Sequence, residues 1–430
     1  MVESMNEHES KRSSYKRVAV IGGLGAWSDA MDEMVISITM PLLIAFWKLT
    51  MAEIAFLISG IYLGMLISAF VSGPLVDYVG RKKGFVIGNI FAALAYIMYL
   101  LAPNIQWWYA ARVLSGFFAC LSTVAFYTWL PEETPPEKRQ TIIGRASAMG
   151  VIGTLNISIM LMLAGIYGWA WHVFFAYVAA FDAVIAILGA TLLRESSMWL
   201  ERQKLLKEGK LVKERRVPIG KFLSKEYRAR FLLALFLSIA GWFGLLFTVL
   251  PFLATFQSQV LAFSLVLIGL VEITCTINGT VARAVLGAIS DRIGRLNTLL
   301  LCAILCIIGT QLSWRTPLLM GVGEKLSVIL FFVISFWIYI WGLNGICDTS
   351  RTWYAELIPT GIRGSMESFT QILASAIAFS GTIIIGILAG IIGLGEALTL
   401  TPLIGGIIVI IVAVVGKKLG FETKGKPLEI

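Results

Sequence analysis

Twelve apolar runs, separated by short polar stretches rich in Lys and Arg, leave this chain few ways to fold. They lie near residues 18–46, 52–76, 84–102, 107–130, 142–164 and 169–193, and again near 230–256, 262–289, 296–314, 326–355, 366–391 and 397–416. A helix that crosses a bilayer takes about 20 apolar residues. Inside the hydrocarbon such a segment must satisfy its own N–H and C=O groups, which an α-helix does. The expected fold class is all-α and integral to the membrane, with twelve transmembrane helices. Composition agrees, since 58% of the residues are hydrophobic and 14% charged, against roughly 45–50% and about 25% in soluble proteins. A soluble enzyme, a secreted disulfide scaffold and a disordered chain are excluded.

The net charge of +9 raises the question of nucleic acid, and the placement of the charges answers it. Residues 194–229 form a basic, amphipathic, partly helical linker that splits the chain almost in half. The expected domains are a disordered cytoplasmic tail at 1–17, a six-helix half at 18–193, the linker at 194–229, a second six-helix half at 230–416 and a tail at 417–430. With the N-terminus inside, the cytoplasmic loops and tails hold 28 Lys and Arg, and the opposite loops hold only Lys48, Arg315 and Lys325. The positive-inside rule then places both termini in the cytoplasm. The five cysteines, at 120, 275, 302, 306 and 347, sit in apolar stretches and read as packing residues. No metal site, cofactor or nucleic-acid partner is expected, and the protein is expected to be a monomer in the cell membrane.

The two halves resemble each other. GPLVDYVGRKK starts at Gly73 after the second run, and GAISDRIGR starts at Gly287 after the eighth, 214 residues later. PEETPPEKR, with Glu132 and Arg139, recurs as AELIPTGIRG, with Glu356 and Arg363, at an offset of 224. Parallel six-helix repeats of this kind place a solute site between the halves, near the middle of the bilayer.

These duplicated segments, together with the Arg112 to Gly116 spacing that opens the fourth run, resemble the major facilitator superfamily over nearly the whole chain. RESSMWLER after the sixth run and the tail FETKGKPLEI are similar to segments of its sugar and metabolite porter branch. DAMDEMVIS in the first run resembles the paired-aspartate motif of proton-coupled organic-acid members.

A charge in mid-bilayer costs at least ~2.5 kcal/mol, so buried ionisable residues are the first functional candidates. Asp29 and Asp32 lie 11 and 14 residues into the first run, roughly 16–21 Å deep. Their spacing of three puts both carboxylates on one face. Two carboxylates in a low dielectric resist ionising together, so the pair can bind and release a proton. Glu33 points about 100° away from Asp32. The resemblance implies that Arg112 pairs with Asp32 or Asp29 and is released when that acid is protonated; a static pair that only packs the helices is the alternative. Glu272 is a cavity candidate, Asp182 reads as structural, and Asp348 and Arg351, three apart, can neutralise each other.

The resemblance also implies a cytoplasmic gate that latches the two halves, built from Gly73, Asp77, Gly80, Arg81, Glu132, Arg139, Arg283, Gly287, Asp291, Gly294, Arg295, Glu356 and Arg363. Ordinary solvated loop charges are the alternative. Candidates for solute contact are the polar and aromatic residues of otherwise apolar runs: Asn156, Trp242, Asn278, Trp337, Tyr339, Trp341, Asn344 and Gln371. Trp107, Trp108 and Tyr109 read as an interfacial belt, and the glycine pairs 60/64 and 386/390 as close helix contacts.

The function that these features support is secondary transport of a small organic metabolite by proton-coupled alternating access. An organic acid is favoured over a simple sugar, because the glutamine-rich motifs of hexose porters are missing from the fifth and seventh runs. A sugar:proton symporter and a drug or organic-cation:proton antiporter are the alternatives. A sensor without turnover, or an intramembrane enzyme, fits less well, since His8 and His172 make no catalytic constellation.

Overall fold

The computed structural model describes the backbone of residues 2–135, 139–210, 224, 228–241, 249–357 and 360–424, and their side chains apart from those of 2–14, 139–141, 147, 355 and 360–371. No strand occurs among the described residues. The first half is built from α1 (Val2–Trp47), α2 (Met51–Val79), α3 (Arg81–Leu100), α4 (Ile105–Glu133), α5 (Arg139–Tyr167) and α6 (Trp171–Leu192). A short helix, α7 (Ser197–Lys207), follows in the linker. The second half contains α8 (Arg228–Ile239), α9 (Leu253–Gln259), α10 (Leu265–Ile293), α11 (Arg295–Ser313), α12 (Thr316–Met320), α13 (Leu326–Leu357), α14 (Thr360–Ile392) and α15 (Leu394–Lys418).

Eleven described helices are long and apolar enough to cross a membrane. The remaining expected span, 230–256, is described in pieces: α8, then a 3-10 turn at Leu250–Phe252 carrying Pro251, then α9. Pro251 has no N–H to give to a continuous helical ladder, consistent with a break there. Helix α1 begins at Val2, so helix starts well before the apolar run and occupies most of the expected disordered tail.

Two compact units emerge from the packing. One gathers residues 1–39, 60–160 and 169–215, and the other 40–59, 161–168 and 216–430. The second unit thus takes in the α1–α2 corner and the end of α5, beyond the halves drawn from the sequence. Small residues make this possible: a Cβ on Gly386 would lie 2.2 Å from Ala55, and one on Gly269 2.7 Å from the Met162 nitrogen.

The pair Gly60 and Gly64 lets α2 lie against α4, since a Cβ on Gly64 would sit 2.1 Å from the Val113 carbonyl oxygen. Gly386 serves a close contact in the same way, whereas Gly390 has open space around it. Trp108 departs from the expected interfacial belt. It is buried against Tyr99, Trp171 and Phe175, and its indole N–H donates to the Tyr99 carbonyl at 3.1 Å. A buried Trp finds a partner for its N–H in this way.

Candidate functional site

In the first unit, three helices bring carboxylates together. Asp32 on α1 and Asp182 on α6 are 2% and 1% exposed and lie within electrostatic reach of each other. The Ser28 hydroxyl, one helical turn before Asp32, donates to Asp182 Oδ1. The Tyr96 hydroxyl from α3 stands 3.5 Å from the Asp32 carbonyl oxygen and within reach of its carboxyl. Asp32 Oδ1 and Asp182 Oδ2 are buried with no hydrogen-bond partner. Sequence reasoning took Asp182 as structural; the structure sets it beside Asp32.

Asp29 extends the cluster toward α4. It bonds Thr123 of α4 and interacts with Glu33 one turn on. Asp29 also lies within electrostatic reach of Asp32 and Asp182, so the three carboxylates share one neighbourhood, with Tyr96 on the Asp32 side and Thr123 and Glu33 on the Asp29 side. Residues three and four apart are neighbours on a helix face, so 28/32, 29/32 and 29/33 can all interact.

Arg112 on α4 is 1% exposed. Its Nη1 donates to the Asp32 carbonyl at 2.8 Å and its Nη2 to the Glu33 carbonyl at 3.2 Å, while Nε has no partner. The expected pairing with an α1 carboxylate is thus replaced by main-chain bonds in this structure. The guanidinium still lies in the field of Asp32 and Glu33. A buried arginine cannot discharge by losing a proton, and the carbonyl dipoles supply part of what a counter-ion would.

The duplicated charges form two matching clusters, one in each unit. Arg81, at the start of α3, bonds Glu132 through Nε and Nη2 and Asp77 through Nη1 at 2.9 Å. Arg295, at the start of α11, bonds Glu356 through Nε and Nη2 and Asp291 through Nη1 at 2.6 Å. A further acid, absent from the sequence candidates, completes each cluster. Glu195 accepts from the N–H groups of Arg81 and Lys82 at 2.8 and 3.0 Å. Glu422 accepts from those of Arg295 and Leu296 at 2.9 and 3.1 Å.

The residue after each acid bonds the cluster glutamate: Ser196 to Glu132 and Thr423 to Glu356, both at 2.5 Å. Gly80 and Gly294 admit these carboxylates. Their φ angles are 103° and 97°, and a Cβ would sit 2.3 Å from the Glu195 carboxylate or 3.0 Å from that of Glu422. Such backbone angles favour glycine. Helix α7 is fastened to the first cluster, with Trp199 Nε1 donating to the Asp77 carbonyl at 2.9 Å.

Each of these clusters ties helix ends together within its own unit. Gly287, expected to allow close approach, has nothing within 4 Å of where its Cβ would be. The Arg139 and Arg363 side chains lie outside the described residues. Glu356, beyond the span of α13, keeps its carboxyl below the ordinary glutamate range: burial pushes it up, and the bonds from Arg295 and Thr423 outweigh that.

On α13 the expected aromatic wall separates into two faces. Tyr339 and Phe336 are fully buried, and a Cβ on Gly309 of α11 would touch the Tyr339 backbone, so Tyr339 is a packing residue. Trp337, Trp341, Asn344 and Asp348 repeat at helical spacing on the other face and are half-buried. Trp341 Nε1 donates to Asn278 Oδ1 at 3.0 Å. Asn344 Oδ1 accepts from Arg283 Nε at 2.8 Å. Asp348 Oδ2 stands 3.8 Å from Arg283 Nε. Glu272 is half-buried on the α10 face that carries Arg283. Asn156 on α5 is half-buried and its Oδ1 has no partner. Trp242 and the Gln371 side chain lie outside the described residues.

A sequence profile of the Major Facilitator Superfamily matches residues 22–382. The chain belongs to this superfamily. Its Major Facilitator fold is seen in a D-xylose-proton symporter, which superposes with a TM-score of 0.76 at 17% identity over 96% of this chain and 99% of that one. It is seen again in a nucleoside transporter, NupG, with a TM-score of 0.69 at 13% identity over 94% and 99%. Among sequence relatives, organic cation/carnitine transporter 7 of Arabidopsis thaliana is 29% identical over 37% of this chain and 32% of its own. The niacin transporter NiaP of Acinetobacter baylyi is 30% identical over 36% and 35%. The arabinose-proton symporter of Bacillus subtilis is 24% identical over 43% and 41%. The matched region thus spans about a third to two-fifths of these relatives' length.

Proposed function

We propose that this Major Facilitator chain is a secondary active transporter that moves a small organic metabolite, an organic acid in the first instance, by proton-coupled alternating access. The observation that carries the reading is the buried Asp32–Asp182 pair with an unbonded oxygen on each carboxyl. Two buried carboxylates that interact in a medium of low dielectric resist ionising together, so the pair can hold a proton. Arg112 supplies the other half of a switch. It rests on the carbonyls of Asp32 and Glu33, with Nε unbonded. When Asp32 gives up its proton, its carboxylate competes for the guanidinium and pulls α4 against α1. When Asp32 is protonated, Arg112 returns to the carbonyls. A protonation event is thereby converted into a change of helix contact, which alternating access needs.

The placement is the cell membrane with both termini in the cytoplasm, supported by the 28 to 3 division of basic residues. Relatives named as an arabinose-proton symporter and as an organic cation/carnitine transporter keep sugar symport and cation antiport as the alternatives. A thermal-shift screen of the purified protein against organic acids, sugars and amines at two pH values tests the choice, because a ligand of the folded state raises Tm. An acid whose effect grows at low pH supports the reading. Stabilisation by cations alone, growing as pH rises, moves the chain to the antiport alternative.

A further inference from the structure

We propose that Arg283 is the docking point for the carboxylate of the transported solute, held in position by Asn344. The inference rests on the reading that the solute is an organic acid. Arg283 uses only one edge of its guanidinium: Nε donates to Asn344 Oδ1 at 2.8 Å. The amide is itself fixed by its Nδ2 donating to the Ile340 carbonyl at 2.9 Å. Asp348 is 3.8 Å from Nε, a long separation for an ion pair, and both side chains are well exposed, at 53% and 37%. Among the described residues the two terminal amino groups make no hydrogen bond. Their planar fork matches a carboxylate, donating to both oxygens through parallel N–H bonds.

The arginine lines a pocket of about 290 Å³, whose wall also carries Leu286, Gly287, Thr349 and two acids, Asp291 bonded to Arg295 and Asp348 beside Arg283. That is at the small end for organic ligands. Thr349 offers a hydroxyl and Leu286 an apolar surface, while the Thr352 hydroxyl donates to the Asp348 carbonyl at 3.1 Å. The other arginine on this wall, Arg295, is occupied by Glu356 and Asp291.

The repeat separates this group from the duplicated charge clusters. At the offsets of 214 and 224 that align those clusters, Arg283, Asn344 and Asp348 fall opposite Ala69, Cys120 and Val124. The first half has no charge at any of these places. A device needed equally by both halves would have kept its counterpart, whereas a solute is recognised by one chemical group at one place.

Binding to the purified full chain tests the assignment by calorimetry with benzoate, nicotinate and lactate, each against its neutral amide. The wild type is expected to bind at least one acid at least tenfold more tightly than its amide. Arg283→Ala and Arg283→Gln should lose at least tenfold in affinity for that acid, with Tm unchanged within a few degrees. Gly287→Val, which fills the pocket where there is space for a Cβ, should weaken the same acid. Wild-type binding of an acid that both Arg283 variants retain within twofold would overturn the role of Arg283 and leave the organic-acid reading standing. Failure of every acid to outbind its amide on the wild type would overturn both.

Discussion

Glu195 and Glu422, 227 positions apart in the chain, make the same pair of bonds: each accepts from the first two N–H groups of the helix that follows a glycine with positive φ. A carboxylate there satisfies two of the donors that a helix start leaves open and sits at the positive end of the helix dipole. Glu195→Gln and Glu422→Gln are each expected to cost about 1–2 kcal/mol. A fall in Tm of the purified protein checks this, and an unchanged Tm in both variants would remove the clusters from the stability of the fold.

Gly80→Ala should be worse than either. It places a Cβ against Glu195 and demands a backbone angle that side chains disfavour. A loss of about 1–3 kcal/mol is expected, read as reduced yield of monodisperse protein and a lower Tm. Gly287→Ala, at a site with open space, is the control that should fold normally.

The acid limb of stability should report Glu356. Its carboxyl titrates below the ordinary glutamate value of 4.5, so the stabilisation it supplies is complete at neutral pH. That stabilisation disappears as pH falls through its folded value, below about 4.5. Thermal melts from pH 7 to pH 4 and below should therefore show a decline that is shallower in Glu356→Gln, whose Tm at pH 7 is already lower. Parallel curves for the two proteins would contradict the assignment.

Asp32→Asn is expected to abolish proton-driven accumulation in proteoliposomes and to leave exchange measurable. Arg112→Ala should lose uptake with no loss of folded protein. Accumulation by the Asp32 variant at the wild-type level would end the proton-coupling reading.

Asp182→Asn separates a coupling role from a packing role. As a partner in holding the proton, Asp182 should shift the pH at which uptake is half-maximal, with Ser28→Ala shifting it in part. A structural role would change Tm and leave the pH profile in place.

Most of the architecture was legible because the signals are periodic. Apolar run length sets the helices, and duplication marks Asp77, Arg81 and Glu132 with Asp291, Arg295 and Glu356 as equivalent. Glu195 and Glu422 also carried a signal, since an acid followed by a hydroxyl residue recurs after the sixth and twelfth runs, within segments already singled out for another reason. Asp182 carried the signal of a lone charge in an apolar run but not of its partner. It meets Asp32 only because α6 packs near α1, and no local pattern in either helix encodes that neighbour. Arg112 was read as a partner for carboxylates, and geometry gave it the carbonyls of the same turn. Tyr339 and Trp341 show a further limit. Their 200° separation on a helix says that they face different ways, but only the position of Gly309 shows which of them looks inward.

The Glu195–Ser196 clasp closes over Arg81 and Glu132 using residues that follow the sixth helix directly. During synthesis, all of its parts have been made before the first residue of α8 is added. Domains tend to fold in the order in which they emerge. The charge cluster of the first half can therefore be neutralised and locked while the second half is still being translated, so a growing chain need not leave Arg81 waiting for a partner from the later repeat.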